Sequence, residues 1–342
     1  MKLYVTSAYS SHDCLDKLVE LAGLDAYGEH ELVADFESAD AIVFVENTQF
    51  QDLAFKRVRA HPLALRYPGK VFMYNEMDRA WPVLPGLYSS LTRKLARSEN
   101  HIAFAYLTES NAGIKHIHKS RAQIKYLYSF VGSRSHPIRN QLFSLKGDKA
   151  NITDTSEFCA WQPEQPESQA FQKLYCDTIA SSKFVLCPRG IGPSSLRLFE
   201  TIEAGRIPVI ISDEWVAPPQ ICWDFAVRIA ESDIATIPDV LAALEPQWQE
   251  RASAARAGWE QAFSPEHMFN TVGDAIARLC ETATCRRTDL STALHKYQVL
   301  LGMGLKQKAR HYASRLGAAG EGKGADSENI EAARQRLVSD ES

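Results

Sequence analysis

The stretch SSKFVLCPRGIGPSSLRLFETIEAGRIPVIISDEW, residues 181–215, constrains the fold more than any other part of the chain. Lys183 to Cys187 is an apolar, strand-sized run, and Pro188 is expected to end its ladder. Gly190 and Gly192 let the backbone turn and approach a ligand closely. Pro193, Ser194 and Ser195 then lead into a helix that runs through Ala204, with Gly205 at its C-terminal cap. Ile207 to Ile211 follows as a second buried strand. Two strands joined through a helix demand a parallel sheet, and the helix N-terminus then sits at its carboxyl edge. Unpaired N–H groups and the positive dipole end make that edge an anion site. Arg189 and Arg197 can add charge-assisted bonds to phosphate oxygens. On a helical wheel Leu196, Leu198, Phe199 and Ile202 share an apolar arc, and Arg197, Glu200, Thr201 and Ala204 share the opposite one. Glu200 is therefore expected on an open face, one turn in, where a carboxylate can accept from a ribose diol. The plainer reading of the same residues is a capped surface helix with an Arg197–Glu200 pair at i,i+3.

The rest of the chain repeats the α/β theme twice. Lys2 to Thr6, Ala39 to Val45 and Lys70 to Tyr74 read as buried strands, with helices at Asp13 to Leu21 and over the basic stretch Gln51 to Ala60. Polar residues follow two of these strands, Glu46 and Asn47 after one, and Asn75, Glu76 and Asp78 after the other. Ligands meet open parallel sheets at such strand ends, which makes these residues site candidates by position. A second region opens at IKYLYSFVGSRSHPIRNQLFSL, residues 124–145, as a strand ending in Gly132, a loop over Ser133 to His136, and a helix started by Pro137. Asn151 to Ser168 reads as a loop, Phe171 to Ala180 as a helix, Val216 to Cys222 as a loop and Phe225 to Ile229 as a strand. Helices follow near Ile237 to Leu244 and Trp248 to Phe263. The expected organisation is an N-terminal domain over 1–122, a second over 123–288, and a helical extension with a linker-like tail over 289–342.

Charge and composition exclude several classes. The 342 residues carry a net charge of -4, which gives no general attraction to nucleic acid. No apolar run approaches the roughly 20 residues needed to cross a bilayer, and the N-terminus lacks a secretory h-region. The expectation is a cytoplasmic protein. A basic helix over 290–316 either docks on the body or touches the inner face of a membrane peripherally. Seven scattered cysteines without a CxxC pair fit reduced thiols better than a disulfide framework or zinc site.

Taken together, C-P-R-G, G-P-S-S, R-x-x-E-T-I-x-A-G-x-I-P-V-I-x-S-D and, upstream, SFVGSRSHPIRNQL (Ser129 to Leu142) resemble the exostosin-like glycosyltransferases of family 47. The resemblance covers about residues 124–230 and reaches the N-terminal 120 residues only in general α/β character. It implies a GT-B-type fold, two Rossmann-like domains facing across a cleft, and an inverting transferase that uses a nucleotide-sugar donor, typically a UDP-sugar. On that reading Glu200 contacts the ribose, Ser194, Ser195 and Arg189 with Gly190 and Arg197 hold the diphosphate, and Arg134 or Arg139 beyond Gly132 lies across it. No tightly bound cofactor or metal is implied, and no convincing D-x-D element stands in the sequence.

Inversion needs a general base for the acceptor hydroxyl, expected from the N-terminal side of the cleft. Candidates are Asp13 beside His12, and Glu76 or Asp78 in YNEMDRAWP, where Trp81 can stack on a sugar; for Asp78 an N-cap or a salt bridge to Arg79 is the structural alternative. His136 is a further candidate, with a helix-start role as its alternative. Asp213 is expected to face the donor sugar or a loop. The expected acceptor is a glycan or glycolipid, as in surface polysaccharide assembly. A catalytically silent nucleotide- or glycan-binding protein and a GT-B transferase of another donor class, such as GDP-fucose, are the alternatives.

Overall fold

Runs of β-branched and aromatic residues with apolar side chains on both faces form parallel strands in the interior of this chain, and helices cover them. The computed structural model describes residues 1–47, 52, 54–78, 81–108, 111–120, 122–145, 147–157 and 166–283. These residues belong to one compact unit. The stretch 290–316 and the tail beyond it lie outside the described residues.

The first half contains β1 (Lys2–Thr6), α1 (Asp13–Leu24), β2 (Glu31–Leu32), β3 (Ala41–Glu46), α2 (Lys56–Ala60), α3 (Pro62–Arg66), β4 (Val71–Asn75), β5 (Gly86–Tyr88) and β6 (His101–Ala103). Its six strands form one parallel sheet in the order β2-β1-β3-β4-β5-β6. The second half contains β7 (Tyr126–Gly132), α4 (Pro137–Leu142), β8 (Ala150–Asp154), α5 (Pro166–Ala180), β9 (Ser182–Pro188), α6 (Leu196–Glu203), β10 (Ile207–Ile211), β11 (Val227–Arg228), α7 (Ile237–Leu244), α8 (Trp248–Ala262) and α9 (Pro265–Thr282). Its five strands are also all parallel, in the order β11-β10-β9-β7-β8. The α/β architecture of two parallel sheets implied by the GT-B-type resemblance is the one observed.

A single apolar cluster joins the two halves. Leu18 and Leu21 of α1 pack with Phe72 and Tyr74 of the first sheet, and the same cluster takes in Phe263, Phe269 and Val272 around α9 and Leu198 and Ile202 of α6. Helix α9 therefore leaves the second half of the chain and packs back on the first, where Gly273 admits the His30 ring so closely that a Cβ would sit 2.3 Å from it. On the opposite face of the first sheet, Phe44 meets His61 edge-on. The other face of the second sheet is sealed by a separate cluster of Ile138 and Leu142 from α4, Ile237 and Leu241 from α7, and Phe184, Leu186, Val209 and Ile211 from the strands.

Several elements differ from the sequence reading. Residues 151–154, read as the start of a loop, form edge strand β8 together with Ala150, because pairing with β7 supplies the hydrogen bonds that their polar side chains do not advertise. Pro188 is the last residue of β9, as expected, standing opposite Ile211, and one further amide, Arg189 N–H, still donates to the Ile211 carbonyl at 3.0 Å. The short strands β5 and β6 were not anticipated, and neither was α9. Cys14, Cys176, Cys187 and Cys222 are free thiols.

Candidate active site

Each sheet has one place where the chain reverses its direction of strand addition, and ligands of open α/β sheets bind outside the strand carboxyl ends there. In the second sheet this switch point lies between β7 and β9. Gly132 ends β7 and Pro188 ends β9, so Arg139, Arg189, Gly190 and the start of α6 gather at one crevice. In the first sheet it lies between β1 and β3, where Ser7 follows one strand and Glu46 ends the other.

The loops at these carboxyl ends touch across the molecule. A Cβ on Gly192, in the β9–α6 turn, would stand 2.1 Å from the Ser90 hydroxyl and 2.5 Å from the Asp78 carbonyl oxygen, so only glycine permits this contact. Gly192 and Gly190 do not have positive φ, so close approach and not left-handed backbone is what they provide. The Arg93 amide donates to the Glu214 carbonyl at 3.0 Å, a second tie between the two sets of loops.

The residues around α6 divide into those that build the turn and those whose polar atoms are left over. Arg139 is a builder: buried, it donates to the carbonyls of Ser133 at 3.1 Å, Arg189 at 2.9 Å and Pro188 at 3.3 Å, and its guanidinium lies over Phe130. It thereby ties the loop after β7 to the turn after β9. Gly190 leaves room for it, since a Cβ there would come 3.2 Å from Nη2. Arg134 is directed away, paired with Asp154 at 2.6 Å and stacked on Phe143. Gly132 accommodates Arg197, whose Nη2 would lie 2.8 Å from a Cβ at that position and donates instead to the Val131 carbonyl at 2.6 Å. The Arg197 guanidinium is sandwiched between Phe130, at 4.7 Å, and Tyr175, at 5.6 Å.

Four buried polar atoms on this turn and helix have no hydrogen-bond partner: Arg189 Nε, Ser194 Oγ, Arg197 Nε and Glu200 Oε1. An unpartnered buried polar group costs about 1–3 kcal/mol, so four around one turn make it a candidate ligand site. Ser195 caps α6 by backbone conformation alone and spends no side-chain bond on it. The Tyr106 hydroxyl neighbours Ser194 and Ser90 without reaching good hydrogen-bond geometry, and burial pushes its pKa up.

Glu200 is not on an open face as expected: it is buried, 9% exposed. The eight-residue wheel could not show that α5 and the segment after β6 cover the polar arc of α6. The Tyr175 hydroxyl of α5 donates to Glu200 Oε2 at 2.5 Å. Burial raises the Glu200 pKa, while the Tyr175 bond and the Arg197 charge pull it down. Tyr175 and Tyr106 were missed because a tyrosine among apolar residues has no sequence signal that separates core from site.

The proposed bases occupy different surroundings. Glu76 is buried, and its carboxylate is enclosed by the turn after β6, accepting from the Leu107 amide and from the Thr108 amide and hydroxyl, the latter at 2.6 Å. Asp13 is exposed at the start of α1 and accepts from Ser11 at 3.1 Å, while His12 meets the Tyr9 carbonyl. Asp78 is half-buried, and its charge is felt by both Tyr106 and Arg139, which places it beside the α6 turn. Trp81 is 5% exposed and so is a core residue, not an open sugar platform. His136 caps α4, accepting from the Ile138 amide at 3.3 Å. Asp213 exchanges backbone-to-carboxylate bonds with Glu231 at 3.0 and 3.1 Å, a loop clasp. Glu46, fully buried, accepts from the Ala8 amide at 2.7 Å and the Ser7 hydroxyl at 2.8 Å, and burial pushes its pKa up to about 7.

The family model of the exostosin GT47 domain matches residues 60–244. The exostosin-1 homolog of Caenorhabditis elegans is 33% identical over 135 residues, which is 35% of this chain and 35% of that protein. A probable glucuronoxylan glucuronosyltransferase of Arabidopsis thaliana, IRX7, is 40% identical over 70 residues, 20% of this chain and 16% of its own. The match therefore spans about a third of the nematode relative and less of the plant one. Among solved structures, Anabaena HepE in complex with UDP and glucose aligns over 81% of this chain and 98% of its own, at 11% identity and a TM-score of 0.37. With the family model matched over more than half its length, across the α6 turn and the loops that meet it, this chain belongs to the exostosin GT47 family.

Proposed function

We propose that this protein is an inverting glycosyltransferase that moves a sugar from a UDP-sugar to a glycan or glycolipid acceptor. The observation that carries the reading is the group of four partnerless buried atoms of Arg189, Ser194, Arg197 and Glu200 around one helix N-terminus at a sheet switch point. Two guanidinium N–H groups, a hydroxyl and the α6 dipole suit a diphosphate, and the Glu200 carboxylate, an acceptor only, suits a ribose diol. These same groups can neutralise the diphosphate as it leaves, the task that a metal performs in other transferases. Gly132, Gly190 and Arg139 shape the turn, and Arg134 braces its outer side. Asp78 is the preferred general base, because its charge acts on both Tyr106 and Arg139 and its backbone carbonyl meets Gly192 of the turn. Glu76 and Asp13 are the secondary candidates, the first committed to its own turn and the second exposed on α1. The designation of a plant relative as a glucuronosyltransferase of a xylan fits a polysaccharide acceptor.

The test is a thermal-shift and calorimetric series with UDP, GDP, CMP and ADP on the wild type and on Arg189→Ala. Selective stabilisation by UDP that Arg189→Ala weakens supports the reading, and at 100 times the Kd it amounts to about 2.7 kcal/mol. Selective stabilisation by GDP moves the donor class. No response to any nucleotide refutes donor binding at this turn.

A further inference from the structure

Strands β5 and β6 run side by side, with Tyr88 opposite Ala103, and the segments that follow them carry Ser90 and Tyr106 to the α6 turn. The backbone around Tyr106 is fixed from both sides. Before it, the Ala105 carbonyl accepts from the Tyr74 hydroxyl at 2.9 Å and from the Ser89 hydroxyl. After it, the Leu107 amide donates to the buried Glu76 carboxylate. The Tyr106 ring packs edge-on against Phe199 of α6, with centroids 5.8 Å apart. This holding delivers the hydroxyl to a place where it is buried and has no hydrogen-bond partner. Its neighbours are Ser194 Oγ, also buried and partnerless, and the Ser90 hydroxyl, which meets the Ser194 amide only at a long 3.5 Å. The charge of Asp78 acts on it as well. Two idle hydroxyls and a weakly used amide therefore converge at the start of α6, where the helix dipole favours an anion.

We infer that the Tyr106 hydroxyl donates to the sugar-bearing phosphate of the donor, so that a residue from the first half of the chain stabilises the oxygen that departs from the sugar. The inference rests on the diphosphate assignment above and adds to it a group from outside the α6 turn. A phosphate oxygen accepts from the Ser194 amide in place of the Ser90 hydroxyl, and the phenol and the Ser194 hydroxyl then both find an acceptor. Asp78, the preferred base, acts on the same phenol, which places Tyr106 toward the reacting end of the diphosphate and not toward the nucleoside. In the transfer, the acceptor oxygen bonds to the anomeric carbon and its proton passes to the Asp78 carboxylate. The bond from that carbon to the phosphate oxygen breaks, and its electron pair stays on the phosphate. Tyr106 keeps its own proton throughout, because burial and the Asp78 charge push its pKa up. A fixed, neutral donor aimed at the oxygen where charge develops lowers the barrier with no reorganisation at the moment of reaction. The hydrogen bonds at Ala105 and Leu107 supply that fixity.

The experiment measures UDP and UMP binding by calorimetry, and urea unfolding without ligand, for wild type, Tyr106→Phe and Arg189→Ala. UDP is the departing group itself, so its affinity reads the contact with the charge fully developed, and UMP lacks the phosphate in question. Tyr106→Phe removes one oxygen and keeps the ring against Phe199. The loss of a hydrogen bond to a charged group should weaken UDP about 10- to 100-fold in this variant. UMP should bind it as it binds wild type. Without ligand, the variant should unfold at the same or a higher urea midpoint, because the hydroxyl it lacks had no partner to lose. Equal weakening of UDP and UMP overturns the inference, since the phenol would then be supporting the whole site and not one phosphate. A lowered midpoint with unchanged UDP affinity also overturns it, and makes the hydroxyl a structural tie between the halves. Unchanged UDP affinity in Tyr106→Phe, with Arg189→Ala impaired, overturns it and leaves the diphosphate site standing. Failure of wild type to bind UDP at all refutes the donor reading beneath it.

Discussion

The Tyr175–Glu200 hydrogen bond offers the sharpest test of how this site is tuned. Glu200 must be ionised to accept from two ribose hydroxyls, yet burial favours its neutral form. The Tyr175 hydroxyl, 2.5 Å from Oε2, works against burial, and so does Arg197. Tyr175→Phe removes one oxygen, keeps the ring beneath Arg197, and leaves the carboxylate short of its main donor. A hydrogen bond to a charged group is worth about 1.5–3 kcal/mol, so the ionised form loses that support and donor affinity at neutral pH falls about 10- to 100-fold. The Glu200 pKa moves further up in the variant, so the loss is greatest at low pH and shrinks as pH rises and the carboxylate ionises. The assay is donor KM against pH from 5.5 to 9 for wild type and Tyr175→Phe, with UDP calorimetry at both ends. A KM raised by the same factor at every pH means that Tyr175 only supports the fold locally, and an unchanged KM means that Glu200 does not touch the donor. Either result refutes the reasoning.

Further expectations follow from the same geometry. Asp78→Asn should lower kcat about 100-fold or more while leaving UDP affinity unchanged, measured by single-turnover transfer and calorimetry; retained kcat would return the role of base to Glu76 or Asp13. Gly192→Ala should cost about 1–3 kcal/mol, seen as a lowered denaturation midpoint, because the new methyl meets the Asp78 backbone carbonyl as well as the Ser90 side chain. Ser90→Gly in that background should therefore rescue only part of the loss. Transfer should survive EDTA, since Arg189, Arg197 and the α6 dipole supply the positive charge; inactivation that Mg²⁺ reverses would defeat this. For Glu46 the sign follows from its raised pKa of about 7. Between the unfolded value near 4.5 and about 7, the folded protein keeps a proton that the unfolded chain has released, so this residue's contribution to stability falls as pH rises. Glu46→Gln should flatten that part of the stability profile in urea titrations at pH 4.5 and 7.5.

How far these features were legible follows from the range over which each is decided. Strands β3, β4, β9 and β10 are written locally, as short apolar runs with turn residues on both sides, and the β9–α6–β10 unit with its arginines was readable for the same reason. Strand β8, ANITD, was not, because an edge strand is made by its partner's hydrogen bonds, which its own half-exposed, largely polar side chains do not record. Gly86–Tyr88 and His101–Ala103 are too short for a period to register. The site divides in the same way. The anion-binding turn depends on contiguous residues and could be placed, but the burial of Glu200 depends on Tyr175, 25 residues earlier, and on a segment from the other half of the chain. The return of α9 to the first sheet is also a tertiary event, recorded in the sequence only by an amphipathic strip that any core-facing helix would show. What a single sequence hides here is the pairing of the two halves. That pairing converts a polar helix face into an enclosed one, brings Asp78 to the turn of a distant helix, and gives the Glu200 carboxylate a pKa that its own neighbours in sequence would not have produced.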